Sequence, residues 1–97
     1  MRLIIDIFAK IAEKIIKEQE LIIGPLAWDE AKKVEGLVVS NQLAEVTIEG
    51  DKKQVIDSLV ARYDRLFGRA SHEVSRDAAA ALLADLLPID IPISLKT

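Results

Sequence analysis

A chain of 97 residues, 51% hydrophobic and 30% charged, is the size of one domain built on a single core. The absence of cysteine and the single histidine exclude thiolate nucleophiles, disulfides, iron–sulfur clusters, sulfur-ligated zinc and any two-histidine metal motif. A net charge of −3 supplies no overall field for nucleic acid.

The N-terminal segment reads as helix. From Leu3 to Ile23 the residues Ile4, Phe8, Ile11, Ile15 and Ile22 recur at helical spacing, and Leu3, Ile5, Ile7, Ala12 and Ile16 widen the stripe. Asp6 with Lys10, Glu13 with Lys17 and Lys14 with Glu18 lie four apart on the other side, a spacing that supports a helix through opposite charges. The apolar stretch around Leu3 is interrupted by Asp6 and Lys10, without a small-residue cleavage site after it; a mature cytoplasmic chain is expected. No apolar run approaches the roughly 18 to 20 residues of a bilayer span, so no membrane partner is expected either.

Gly24-Pro25 punctuates the chain, and a short second helix is predicted from Pro25 to Val34, with Leu26, Ala27, Ala31 and Val34 inward. Gly36 ends it. Leu37-Val38-Val39 and Ala44 to Glu49, joined through Ser40-Asn41-Gln42, read as a β-hairpin in which Val46 and Ile48 share the buried face. Asp51 as N-cap with Gln54 three residues on opens a third helix carrying Val55, Ile56, Leu59, Val60, Tyr63, Leu66 and Phe67, closed by Gly68. Ser71 is placed as the cap of a fourth, alanine-rich helix that Pro88 terminates. The tail alternates Ile89, Ile91, Ile93 and Leu95 with polar residues and Pro92, the pattern of an extended edge segment in search of an apolar partner.

The expectation is therefore α+β: helix-helix-β-hairpin-helix-helix, a small two-layer domain with an extended C-terminal tail. It divides into an amphipathic N-terminal helix (1–23), an α+β core (24–87) and the tail (88–97) within one domain (1–97). Leu21-Ile22-Ile23 also permits a strand. In that parsing Leu21 to Phe67 runs strand, helix, strand, strand, helix, which resembles the small ferredoxin-like metal-carrier domains. Their Cys-x-x-Cys loop is missing here, so the resemblance implies a fold and no metal transfer.

Chemistry is sparse. His72 stands beside Ser71 and Glu73 with no glycine-flanked nucleophile turn, and the four dispersed glycines form no phosphate loop, so no catalytic residue, metal or cofactor is assigned. Arg62, Arg65, Arg69 and Arg76 fall at spacings of three, four and seven, an anion or acidic-partner patch if the helix continues through Gly68. What stands out is apolar surface in excess of what so short a chain can hide. The expected function is a noncatalytic interaction or regulatory module that self-associates, as a dimer with itself or with another protein. Its expected interface is Ile4, Phe8, Ile11 and Ile15 of the first helix with Ile89, Ile91, Ile93 and Leu95 of the tail. The alternative is a small-molecule sensor with a pocket between hairpin and helices, walled by Trp28 and Tyr63.

Overall fold

Asp6 opens the first helix by accepting hydrogen bonds from the backbone N–H groups of Phe8 and Ala9 at 3.0 and 3.2 Å, which satisfies two of the amides a helix start leaves without partners. The computed structural model describes residues 6–40 and 42–96. In chain order it contains α1 (Ile7–Ile23), α2 (Leu26–Ala31), β1 (Leu37–Ser40), β2 (Glu45–Ile48), α3 (Lys52–Phe67) and α4 (Arg69–Leu83), followed by two 3-10 turns at Pro88–Asp90 and Ile93–Leu95. This is the α+β order read from the sequence. Leu21–Ile23 is the last turn of α1 and the sheet holds two strands among the described residues, so the ferredoxin-like parsing is not the fold.

The hairpin is antiparallel, with Leu37 opposite Ile48 and Val39 opposite Val46. These four form the face turned to the helices: Leu37, Val46 and Ile48 are buried and Val39 partly so, whereas Val38, Glu45 and Thr47 are exposed, the alternation of a half-covered sheet. Helix α1 also protects a strand edge. Glu13, placed by its spacing on the polar side of the helix, is in fact buried, and its carboxylate accepts the Val46 backbone N–H at 3.1 Å. That bond occupies an amide the hairpin would otherwise present to other chains.

The centre of the core is the pairing of α1 with α4. Gln19 meets Ser71 and Ser75, while Lys10 and Lys14 lie beside Leu82, so the two helices run antiparallel. α4 turns Ser71, Ser75, Ala78 and Ala79 inward, and side chains this small let the α1 backbone approach closely, as interdigitating helix ridges require. Ile11, Ala12, Ile15 and Ile16 are completely buried there. The Gln19 amide donates to the Ser71 carbonyl and hydroxyl at 2.9 Å and to the Ser75 hydroxyl at 3.1 Å. Ser71 is thus a bridge between helices and not the cap of α4. The helix begins two residues earlier, after Gly68, without a side-chain cap.

The tail departs from the extended form its alternation suggests. Pro92 and Leu95 are buried and Ile91 half-buried, and the segment lies on α3 of its own chain. Asp57 accepts the Ser94 backbone N–H at 2.9 Å and its hydroxyl, and Lys53 donates to the Ile89 carbonyl at 2.8 Å. Proline at the start of each turn favours the compact 3-10 geometry over a strand.

Candidate functional site

The structure separates the residues expected to form a self-association surface. Ile11 and Ile15 belong to the internal core and Phe8 is half-buried against it, so the stripe of α1 is covered by the chain's own α4, α2, β2 and α3 and is not available to a second chain. Ile4 lies outside the described residues. In the tail, Leu95 is buried and Ile91 half-buried, leaving Ile89 and Ile93 exposed at 73% and 69%.

Apolar side chains are also open at Val38, Leu43 and Leu87, and at the other end of α1. Leu21 and Ile22 are 79% and 64% exposed, and Leu66 is 48% exposed. Ile22 and Ile23 border a groove of about 90 Å³ whose far wall is Phe67, Ala70 and Val74. The signal was present in the sequence: three consecutive aliphatic residues on a helix point about 100° apart, and a core-facing stripe cannot take all three.

Trp28 and Tyr63 do not wall a pocket. Trp28 is 5% exposed and Tyr63 fully buried, and the Tyr63 hydroxyl donates to the Ala27 carbonyl at 2.6 Å. They pack where α2 meets α3, whereas the expected pocket lay between hairpin and helices.

The arginine strip is divided by Gly68, whose φ of 84° turns the chain between α3 and α4. Arg62 Nε lies 2.8 Å from Glu30 Oε1, and Arg62 and Arg65 border a shallow depression with Lys33 and Glu35. Arg69 and Arg76 line a separate cavity of about 390 Å³ at the α3–α4 corner, with Asp64, His72 and Glu73. There His72 Nδ1 is 2.7 Å from Asp64 Oδ2 and Arg76 Nη2 is 3.4 Å from Glu73 Oε2. The other Asp64 oxygen is buried without a hydrogen-bond partner. The sequence supplied the arginines but not this grouping, because the direction of the chain after Gly68 decides which of them meet. Among the described residues no group of three or more histidine, aspartate or glutamate side chains is placed to hold a metal ion.

Glu30 lies one turn from Lys33 and faces Arg62. Its hydrogen bonds from Arg62 and then from Lys33 hold the carboxyl below its ordinary value of 4.5. The unfolded chain takes up this proton first as pH falls, so the contribution of Glu30 is complete above pH 4.5 and is lost progressively below it. Replacing Glu30 with glutamine is expected to flatten the acid limb of the Tm-against-pH curve below about pH 4.5 relative to the parent, as thermal melts followed by circular dichroism will record. A limb of unchanged slope would remove Glu30 from the account.

No described helix is long and apolar enough to cross a membrane. Compared with protein families, curated proteins and solved structures, the chain matches none.

Proposed function

We propose that the chain is a noncatalytic, cytoplasmic interaction module that self-associates as a dimer through the C-terminal end of α1. The observation carrying this reading is the exposed Ile22, which borders the groove edged by Ile23, Phe67, Ala70 and Val74, with exposed Leu21 preceding it on α1. Projecting aliphatic side chains next to an apolar depression suit a two-fold contact, in which the same patch serves both subunits and each knob enters the other's groove. No charged side chain lines that groove, so a second copy of a chain with net charge −3 meets no like charge there. The noncatalytic part of the reading draws on Ser71, next to His72 in the chain, whose hydroxyl is engaged by Gln19.

Sedimentation velocity from micromolar to sub-millimolar concentration tests the reading. The parent is expected to dimerise. The pair Leu21→Glu and Ile22→Glu, both on exposed positions, is expected to weaken association by more than about a hundredfold, since burial of each aliphatic side chain contributes roughly 1.5–3 kcal/mol and the changes enter both subunits, with the helical circular dichroism unchanged. A parent that stays monomeric across the range overturns the proposal.

A further inference from the structure

The cavity at the α3–α4 corner has a composition that self-association does not use. Arg69, His72 and Arg76 stand at positions i, i+3 and i+7 of α4, a spacing that puts them on one helix face, and all three line the same concavity of about 390 Å³. Its size falls in the range of small-molecule sites, roughly 300–1,000 Å³. Two of the three are held in place by protein carboxylates, His72 by Asp64 and Arg76 by Glu73. Arg69 has no ion pair or side-chain hydrogen bond among the described residues, although it lies in the same cavity as Asp64 and Glu73. A guanidinium offers a fork of donors matched to oxyanions.

We propose that this cavity binds the phosphate group of a small molecule, with Arg69 as the principal anchor and Arg76 and His72 as flanking donors. Donors spread over two turns of helix approach a ligand from different heights, which suits the several oxygens of a tetrahedral phosphate better than a planar carboxylate, for which one fork suffices. The start of α4, which has no side-chain cap, adds positive potential at the same end. Asp64 and Glu73 restrain the affinity by competing for His72 and Arg76, so removing the Glu73 charge tightens binding. A purely structural role for Glu73 gives no such gain.

The test is a titration followed by amide and histidine-ring resonances at constant ionic strength. The probes are inorganic phosphate and glycerol 3-phosphate, with sodium acetate and sodium chloride in parallel. Saturable shifts at Arg69, Ala70 and His72 with either phosphate, weakened about tenfold in Arg69→Ala and strengthened in Glu73→Gln, support the site. Tighter binding of the ester assigns a phosphate ester as the source, and tighter binding of the free ion assigns inorganic phosphate. Shifts that do not saturate, that acetate or chloride reproduces, or that Arg69→Ala leaves unaltered overturn the proposal. Arg69 is exposed, and a melting temperature equal to the parent's keeps a loss of binding separate from a loss of fold. Monomeric protein serves equally well, so failure here and failure of self-association are read independently.

Discussion

Replacing Gly36 with alanine is expected to destabilise the protein by about 3–5 kcal/mol, lowering Tm by more than about 12 °C for a domain of this size. Gly36 enters β1 with φ of 88°, and a Cβ there would lie 2.7 Å from both the Glu49 carbonyl oxygen and Val55 Cγ2. The carbonyl is backbone and Val55 is a buried residue of α3. Relief therefore requires moving the end of the hairpin away from the helix beneath it. The same residue's carbonyl accepts the Glu49 N–H at 2.7 Å, so the displacement also strains the bond that closes the hairpin. Gly68 supplies the control. Its φ of 84° is similar, but nothing lies within 4 Å of its Cβ position, and Gly68→Ala bears only the conformational cost of about 1–3 kcal/mol for a side chain held at φ 84° and ψ −167°. Denaturant melts of the two variants separate steric collision from backbone preference. Equal losses would show that the contact with Glu49 and Val55 is unimportant.

Tyr63→Ala is expected to cost about 3–5 kcal/mol, the range for removing a large aromatic from a core. Its ring is completely buried where α3 meets α2, and its hydroxyl is tied to the Ala27 carbonyl. Tyr63→Phe removes the hydrogen bond but keeps the ring, for about 1–2 kcal/mol. The phenol offers a second readout. Burial, reinforced by the nearby Glu30 carboxylate, pushes its pKa above the ordinary value of 10.0. Above that pH the unfolded chain releases the proton while the folded chain retains it, so stability falls as alkalinity rises. Because the sequence holds one tyrosine and one tryptophan, phenolate absorbance is expected to appear only together with the loss of the buried Trp28 fluorescence. Phenolate formation near pH 10 in protein whose tryptophan signal is intact would contradict the packing described.

The elements set by local chemistry were legible in advance. Asp51 accepts from the Gln54 N–H at 3.2 Å, as its spacing indicated, and α3 buries Val55, Ile56, Leu59, Val60 and Tyr63. The hairpin places Val46 and Ile48 inward. What the pattern did not convey was the identity of each partner. Alanine and serine on α4 look like weak apolar material in a hydropathy pattern, yet they are the residues α4 buries in its contact with α1. Glu13 reads as a solvated charge until a strand amide is set against it. The tail's alternation indicated a strand, but two prolines and the bonds from Asp57 and Lys53 fold it into turns. For the candidate sites, the arginines were visible and their division was not, since Gly68 decides the direction in which α4 leaves.

The bonds from Gln19 to Ser71 and Ser75 span 52 and 56 residues of sequence, and this has a consequence for biosynthesis. A ribosome delivers α1 long before α4, so the emerging polypeptide displays a partly covered aliphatic ridge until α4 has been translated. Folding then hinges on bringing together helices more than fifty residues apart, a slow kind of search that leaves nascent molecules open to aggregation. Truncations lacking α4 should inherit that vulnerability permanently.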